Sequence, residues 1–468
     1  MADKFRIEKD TLGTVKVPAA AYWGAQTQRA VENFRISGLR AHPALVRAHV
    51  MVKIAAARAN ASLGKLDKKL AQAIEQAAQE VLQGKLPDQW VVDVYQAGAG
   101  TSFNMNTNEV LANRANEILG RPLGSYEPVH PNDHVNMSQS TNDTFPTAMQ
   151  VAAVLEGAAA AEAAENLADA LAAKARQFDG VLKSARTHLQ DAVPIRLGQE
   201  FLAYSLAVHR GAERLLAALD ECRELPLGGS AAGTGLNTHP EYAAAAVEQL
   251  AELAGTELAP AEDLRYAMQS MSPVGAASAA LRSLALELLR IGGDIRLMAS
   301  GPRTGLAEIR LPAVQPGSSI MPGKVNPSMA ECLGMAAMQV VGNDAAAALA
   351  VQAGQLELNV FMPLMAHCVL SSMEILKNAM KAFAGRCVRG LEADEARCLA
   401  YFESSVGLAT ILNEHIGYAR AADVAKEAAR TGKTIRELIL EKGLMTPDEL
   451  KAALDPKRVT EPFEPTQR

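Results

Sequence analysis

An alanine-rich stretch between residues 151 and 178 constrains the fold most strongly. It holds thirteen alanines, and its larger apolar residues are spread all around a helix: Val151, Val154, Leu155, Leu167 and Leu171. Alanine has the highest helix propensity of any residue. A helix that is apolar on every side needs neighbours on several sides. The stretch therefore predicts a long helix inside a helical bundle.

Further helical patterns follow along the chain, separated by short Gly- and Pro-containing segments. They lie at about 198–222, 240–254, 274–300, 328–352 and 364–385. Composition agrees, because 49% of the residues are apolar whereas only 4% are aromatic, a balance that favours helix over sheet. Small alanine side chains also let helix axes approach closely. We predict an all-α protein that buries its long helices in an oligomer.

The length of 468 residues exceeds the ~250–300 residues at which one core usually stops growing, so we expect several regions. Residues 1–140 mix short helical segments with loops, residues 141–396 form the bundle, and residues 397–468 form a smaller helical domain. In that last domain, Thr446 to Glu449 has the pattern of a helix start with a capping box. Lys442-Gly443 marks the end of the preceding helix.

Charge and cysteine usage restrict the cellular setting. The net charge is −6 without a long Lys/Arg run, which argues against nucleic-acid and anionic-membrane partners. The five cysteines never have a CxxC spacing, as expected for reduced thiols. The beginning of the chain, MADKFRIEKDTLG, lacks the apolar region of a signal peptide, and no stretch reaches ~18 uninterrupted apolar residues. We predict a cytoplasmic protein.

Common cofactor and metal motifs do not fit. The Gly98-Ala99-Gly100 string lacks the third glycine of a dinucleotide fingerprint. The segment from Gly317 to Lys324 is one residue too long for a phosphate loop and has Val325 where Ser or Thr is needed. The nine histidines are dispersed without metal-ligand spacing. We therefore predict no metal site and no nucleotide-binding site of either kind.

Four polar segments, interpreted as loops, remain as candidates for a binding site: Gly98–Asn108, Ser138–Asp143, Arg186–Asp191 and Gly317–Pro327. Each alone has the residues of an ordinary cap or turn. Together they supply many hydroxyl and amide donors, to which Lys324 and His188 add stronger, charge-assisted contacts. This combination suits a small dicarboxylate. The methionines at 321, 329, 335 and 338 are interpreted as core residues of a helix face.

The string GSSIMPGKVNP at 317–327 resembles the signature loop of the aspartase/fumarase superfamily. The strings AGTSFNMNTNEV, SQSTND, ARTHLQDAVPIRLGQEF, GTGLNTHPEY and IRLMASGPRTGLAEI match the same family in order, so the resemblance covers essentially the whole chain. It implies a three-domain, all-α fold whose long central helices form a twenty-helix core in a homotetramer. It also implies a cofactor-independent lyase with active sites shared among three subunits.

Within the family, QAGAGTS at 96–102 is similar to aspartate ammonia-lyases of the Bacillus type, as are AGQLELNV and TGKTIRELILEKGLMT. Two features resemble class II fumarate hydratases instead, namely Phe361 after Val360 and the string GGSAAGTGLNTHPEY. The resemblance thus implies elimination of ammonia from L-aspartate to give fumarate, with elimination of water from L-malate as the alternative. A non-catalytic structural homologue is a third, remote alternative.

The resemblance also implies a role for individual residues. Ser318 would be the general base. Thr101, Ser140, Thr141 and Ser319 would bind the carboxylate that becomes an aci-carboxylate. Asn142 and His188 would contact the amino group, and Thr187, Lys324 and Asn326 would hold the other carboxylate.

Overall fold

The computed structural model describes residues 4–462 and confirms the all-α class. Its α-helices are α1 (Ala25–Asn33), α2 (Pro43–Ser62), α3 (Lys68–Leu82), α4 (Thr101–Ile118), α5 (Thr141–Gln177), α6 (Leu197–Asp220), α7 (Tyr242–Ala254), α8 (Leu264–Gln269), α9 (Ser272–Met298), α10 (Ser328–Gln352), α11 (Met362–Phe383), α12 (Glu395–Ser404), α13 (Leu408–Ile416), α14 (Tyr418–Thr431), α15 (Ile435–Glu441), α16 (Pro447–Ala453) and α17 (Pro456–Thr460).

Short strands, absent from the sequence prediction, form two-stranded sheets. The strands are β1 (Phe5–Asp10), β2 (Gly13–Pro18), β3 (Leu182–Thr187), β4 (Gln190–Arg196), β5 (Glu224–Leu225), β6 (Ala259–Pro260), β7 (Ile309–Arg310) and β8 (Glu392–Ala393). Strands β1–β2, β3–β4 and β7–β8 pair antiparallel, and β5–β6 pair parallel. In β2, Val15 and Val17 are buried on one face, the alternation typical of a half-buried strand.

The helices predicted at 198–222, 240–254, 274–300, 328–352 and 364–385 are confirmed to within about two residues at each end, and the alanine-rich helix is longer than predicted. The capping-box prediction is also confirmed, because the Thr446 hydroxyl accepts from Glu449 N–H and the Glu449 carboxylate accepts from Thr446 N–H. Helix α15 ends at Glu441 with Lys442 as its C-cap, as predicted. Helix α5 begins at Thr141 and contains Pro146, whereas the alanine-rich pattern by itself starts later.

The described residues form two compact units. Unit 1 comprises residues 1–162, 211–285 and 337–377, and unit 2 comprises residues 163–210, 286–336 and 378–468, each within the described range. The boundaries fall inside the five longest helices, α5, α6, α9, α10 and α11. The division into domains at 140 and 396 stays a prediction, because the compact units each combine three separate segments of the chain and therefore do not test it.

Each unit has its own apolar core. In unit 1 the α2 residues Val50 and Ile54 and the α4 residue Leu111 are fully buried. In unit 2 a separate cluster joins α12 to α16 and includes Phe402, Leu412 and Leu438. These cores set the helix positions from which the candidate site residues project.

Helix α10 differs from the other long helices because much of its apolar surface is uncovered. Met335, Met338 and Leu349 are 66%, 64% and 71% exposed. The interpretation of Met335 and Met338 as core residues of a helix face is therefore wrong for the single chain. It is also wrong for Met321, which lies outside any helix and is 47% exposed. By length and composition, α10 is the one helix of the described residues that meets the criterion for a membrane span.

Candidate active site

Thr101 begins α4 after a tight backbone turn. The turn places Ala99 and Gly100 at φ values of 60° and 84°, and Ala99 N–H donates to the Val360 carbonyl at 2.8 Å. A Cβ atom on Gly100 would overlap the Phe145 ring, so only glycine fits there. The Thr101 side chain is exposed, which leaves its hydroxyl accessible at the helix start.

The Ser140-Thr141-Asn142 segment begins α5 and is held by Asp143. Ser140 N–H donates to Asp143 Oδ1 at 2.9 Å, and Asn142 N–H donates to Ser140 Oγ at 3.3 Å. This is a capping arrangement, with an acidic residue three positions after serine. It starts the helix at Thr141 rather than in the alanine-rich stretch.

The second oxygen of Asp143 holds a neighbouring loop. Asp143 Oδ2 accepts from Gly228 N–H at 3.1 Å and from Ser230 N–H at 2.9 Å. Asn142 Nδ2 donates to the Ala231 carbonyl at 2.9 Å. The fully buried Asp143 carboxylate therefore ties the start of α5 to this loop.

Buried charge lies directly behind this segment. Burial raises the pKa of Asp143 to about 6, although three backbone N–H donors and the charge of Lys53 oppose the shift. Burial lowers the pKa of Lys53 to about 7, against the opposing influence of Asp143. Desolvation also raises the pKa of the buried Tyr242 phenol well above its usual value, and the charge of Asp143 adds to this. Perturbed groups of this kind are concentrated at functional sites.

Thr187 and His188 lie at the tip of the β3–β4 hairpin. Thr187 pairs with Gln190, and His188 and Leu189 form the turn with φ values of 54° and 59°. The Thr187 and His188 side chains are exposed. The hairpin presents them side by side, away from the core of unit 2.

A buried ionic cluster supports the base of this hairpin. The fully buried Glu308 lies between the Lys183 ammonium, at 2.9 Å, and the Arg186 guanidinium, at 2.7 Å. Lys183 also contacts Glu200 at 3.0 Å. Burial raises the pKa of Glu200, and the charge of Lys183 opposes the shift. Removing one member would leave an uncompensated charge.

The segment 317–327 is a closed loop. Gly317 N–H donates to the Lys324 carbonyl at 2.9 Å, and Asn326 Nδ2 donates to the Gly317 carbonyl at 2.6 Å. A Cβ atom on Gly317 would overlap the Lys324 carbonyl, so the closure requires glycine. Inside the loop, Ser318 Oγ accepts from Ile320 N–H at 3.2 Å and Met321 N–H at 3.0 Å.

An open cavity of about 900 Å³ lies beside this loop in unit 2. Lys324 and Asn326 line it together with three arginines: Arg296, Arg310 and Arg397. Arg310 pairs with Asp394 at 3.1 Å. The cavity therefore gives a small anion access to Lys324 and Asn326.

The structure places the ten predicted residues in two groups. Thr101, Ser140, Thr141 and Asn142 belong to unit 1, whereas Thr187, His188, Ser318, Ser319, Lys324 and Asn326 belong to unit 2. In unit 1, α4 and α5 are joined by a 2.9 Å hydrogen bond from Asn104 Nδ2 to Thr141 Oγ1. In unit 2, Ser318, Lys324 and Asn326 share one loop. The roles of all ten stay predictions.

Three of the four segments interpreted as loops contain regular structure. Residues from Thr101 to Asn108 are helical, not a loop, because the left-handed Gly100 allows α4 to begin there and the asparagines find buried partners. Thr141 to Asp143 are the first residues of α5, because Ser140 and Asp143 cap the helix there. The segment 186–191 is mostly strand, because Arg186 and Thr187 pair with Asp191 and Gln190.

Lys53 and Asp143 were missed as supporting residues. Their signals were a lone lysine in an apolar helix pattern and the S-x-x-D capping pattern.

A family model described as lyase matches residues 13–342, which is most of the chain, and one described as fumarase C C-terminus matches residues 408–461. The chain belongs to the aspartase/fumarase superfamily. Aspartate ammonia-lyase from Bacillus subtilis (strain 168) is 47% identical over 459 residues, covering 98% of this chain and 97% of the relative. Class II fumarate hydratase from Halobacterium salinarum is 50% identical over 462 residues, with 98% of both covered.

A solved superfamily structure supports the fold as well. The crystal structure of fumarate lyase:delta crystallin from Brucella melitensis bound to cobalt aligns with a TM-score of 0.95 and 48% identity, covering 98% of this chain and 100% of that chain. In residues 4–462 of the present chain, no group of three or more His, Cys, Asp or Glu side chains is arranged to hold a metal ion.

Proposed function

We propose that this lyase is an aspartate ammonia-lyase, which eliminates ammonia reversibly from L-aspartate to give fumarate. The string QAGAGTS at 96–102 supports this choice, together with 47% identity to the Bacillus subtilis enzyme over nearly the whole chain. The reaction needs no cofactor, because the substrate carboxylate itself can accept the developing charge. The finer assignment depends on the residues around that carboxylate.

The chemical difficulty is the proton on the carbon next to a carboxylate. Its removal is feasible only if the carboxylate becomes a dianionic aci-carboxylate that the site stabilises. In our proposal, hydroxyl donors bind these oxygens: Thr101, Ser140, Thr141 and Ser319. Asn142 and His188 contact the amino group, and Thr187, Lys324 and Asn326 hold the second carboxylate. A leaving amine opposite the abstracted proton gives anti elimination.

The contacts of Ser318 carry the proposal that it is the general base. Two backbone N–H groups, of Ile320 and Met321, donate to its Oγ atom at 3.2 and 3.0 Å. A serine hydroxyl acts as a base only after losing its own proton, so the resulting oxyanion needs donors already in place. The loop supplies two such donors before any ligand binds.

A class II fumarate hydratase is the second candidate function. Phe361 follows Val360, as in fumarate hydratases, and the Halobacterium salinarum relative is 50% identical. The Val360 carbonyl accepts from Ala99 N–H at 2.8 Å, so the fumarase-like segment contacts the aspartase-like QAGAGTS turn. The same region of unit 1 thus carries sequence features of both activities.

We also propose a homotetramer with each active site shared among three subunits. Five long helices in each of four copies would give a twenty-helix core. The exposed apolar side chains of α10, including Met335, Met338 and Leu349, are the kind of surface that oligomers bury. Free cysteines, of which four are buried, support the proposed cytoplasmic location.

Fumarate formation from L-aspartate and, separately, from L-malate tests the proposed activity by ultraviolet absorbance. We expect product from L-aspartate, with almost none from the Ser318→Ala variant. Ser404→Ala, at an exposed serine in α12, serves as the matched control and should keep full activity. Product from L-malate alone would establish the hydratase, and product from neither substrate would refute both.

Mixed tetramers test the shared site. Lys324→Ala and Ser140→Ala chains should each be inactive alone. Refolding them together should restore part of the activity, because some sites would then combine an intact Lys324 with an intact Ser140. Mixed tetramers that stay fully inactive would contradict the sharing of sites between subunits.

A further inference from the structure

Lys53, in the middle of α2, is fully buried in unit 1. Its ammonium donates to Asn104 Oδ1 at 2.7 Å, Gln139 Oε1 at 2.8 Å and Asn136 Oδ1 at 3.1 Å. Within the described part of the chain, its hydrogen-bond partners are these three amide oxygens and no carboxylate. Burying a cation without a contacting anion is costly. Filling the core therefore does not explain why a lysine occupies this position.

The Lys53 ammonium fixes the orientation of the Asn104 amide, and thereby the direction of the hydrogen bond between Asn104 and Thr141. Because an ammonium only donates, Asn104 must turn its amide oxygen towards Lys53. The amide nitrogen then faces α5 and donates to Thr141 Oγ1 at 2.9 Å. An inverted Asn104 amide would set its NH2 group against the ammonium, which excludes the opposite orientation.

The orientation of the Asn104 amide determines how the Thr141 hydroxyl can form hydrogen bonds. Its oxygen accepts from Asn104, so the hydroxyl hydrogen must point elsewhere. Among residues 4–462, no acceptor receives that hydrogen. Thr141 is therefore held as a donor at the start of α5, beside Ser140 and Asn142.

The same ammonium holds the turn that precedes α5. Asn136 Nδ2 donates to the Gln139 carbonyl at 3.2 Å, and Gln139 Nε2 donates to the Met137 carbonyl at 3.0 Å. Both amides present their oxygens to Lys53 at the same time. Lys53 thus fixes the turn on one side of Ser140 and the side chain of Thr141 on the other.

We propose that Lys53 is a positioning residue that acts through Asn104 to keep the Thr141 hydroxyl as a hydrogen-bond donor to the substrate carboxylate. The proposal rests on the proposed function, which assigns Thr141 to that carboxylate. A purely structural lysine would support the fold without any dependence on the Thr141 hydroxyl. The two roles therefore differ in how substitutions at Lys53 and Thr141 combine.

A double-mutant cycle measures that dependence. The variants are Lys53→Met, Thr141→Val and the double variant, and the readout is the dissociation constant of fumarate from the full-length oligomer by calorimetry. Each single substitution should weaken binding about ten- to a hundredfold, as expected for loss of a hydrogen bond to a charged group. The double variant should bind no more weakly than Thr141→Val. Independent, multiplying losses would overturn the proposal.

Asn104→Asp provides a second test if Lys53→Met does not fold. It keeps an oxygen facing the ammonium but replaces the donor to Thr141 with an acceptor, so the Thr141 hydroxyl would turn inward. Fumarate binding should fall to the level of Thr141→Val. Wild-type binding by a folded Asn104→Asp protein would refute the role of Asn104, and with it the proposal.

Asn106→Asp is the matched control on the same helix. Asn106 is also fully buried, and its Nδ2 donates to the Gln89 carbonyl at 2.9 Å, away from Thr141. Fumarate binding should therefore stay within about twofold of wild type, and a loss equal to that of Asn104→Asp would count against the proposal. Wild-type protein that neither binds nor forms fumarate would refute the proposed function itself, and this inference with it.

Discussion

Asp93 should make one of the larger single contributions to the stability of unit 1. Its carboxylate is 6% exposed and accepts four hydrogen bonds. Ser37 Oγ–H and Tyr95 N–H donate to Oδ1 at 2.8 and 2.9 Å, while Ser37 N–H and Gly38 N–H donate to Oδ2 at 2.7 and 2.8 Å. The carboxylate therefore joins two loops, one of which leads towards the Gly98–Thr101 turn.

Asp93→Asn removes one acceptor oxygen at nearly constant shape. In the best orientation, the amide oxygen keeps both Oδ2 bonds and the Ser37 hydroxyl rotates to accept from the new NH2 group. Tyr95 N–H then loses its acceptor and faces a donor. Hydrogen bonds to a charged group contribute about 1.5–3 kcal/mol each, and the remaining bonds lose their charge assistance. We expect the free energy of unfolding to fall by about 2–4 kcal/mol at pH 7.

The difference should also depend on pH. Burial alone would raise the pKa of Asp93, but hydrogen bonds from Tyr95, Ser37 and Gly38 outweigh it and lower the pKa below its usual 3.8. A carboxyl with a lowered pKa stabilises the fold above its unfolded-state pKa. That contribution disappears as the pH falls through the lower, folded-state pKa. The difference between wild type and variant should therefore be constant at neutral pH and shrink below about pH 4.

Urea unfolding followed by circular dichroism measures this difference, at one fixed protein concentration because an oligomer's stability depends on it. Asp423→Asn, at an exposed aspartate in α14, is the matched control and should change stability by less than about 0.5 kcal/mol. A similarly small change in Asp93→Asn would refute the reasoning. So would a large change of equal size at pH 7 and pH 3.

Three further substitutions have expected outcomes. Gly100→Ala adds a strained left-handed residue and an overlap with the Phe145 ring, so urea unfolding should show a loss of about 2–5 kcal/mol, whereas no loss would contradict the close approach. Glu308→Gln removes a buried counter-charge of Lys183 and should lower the free energy of unfolding by about 3 kcal/mol or more. Unchanged stability and fumarate formation would argue against a role for Glu308 in supporting the β3–β4 hairpin. Met338→Lys should lower the oligomer mass in light scattering, and an unchanged mass would place the oligomer interface elsewhere.

The helical part of the fold was predictable because its signals are local and repeated. Alanine-rich, all-round apolar stretches gave α5 and the other long helices, and the S/T-x-x-E pattern gave the start of α16. The β1–β2 and β3–β4 hairpins were missed, because strands of six and seven residues have too few alternations to stand out. The exposed face of α10 was missed for a different reason. An apolar pattern predicts burial but not whether the same chain or another copy provides it.

The candidate site was predictable only at the level of residue type. Hydroxyl and amide residues in four segments indicated a dicarboxylate site, and the family resemblance gave each a role. Neither could indicate that Asp143 ties the start of α5 to the loop at Gly228, since that pairing joins positions far apart in the sequence. Lys53 is similar, because its three partners lie outside its own helix. Long-range buried hydrogen bonds leave no periodic pattern.

Several of the proposed ligand-binding donors have one structural feature in common. Each of these lies on an element that is held in place by a buried charged group. Asp143 fixes the segment that contains Ser140, and Glu308 supports the hairpin that carries His188. Lys53 orients the Asn104 amide that donates to Thr141. Donors fixed before the ligand arrives need no reorganisation when charge develops on an aci-carboxylate, and this is where preorganised polar groups lower a barrier most. Burying those charges reduces stability. Such a cost is expected where catalysis, rather than folding, requires the arrangement.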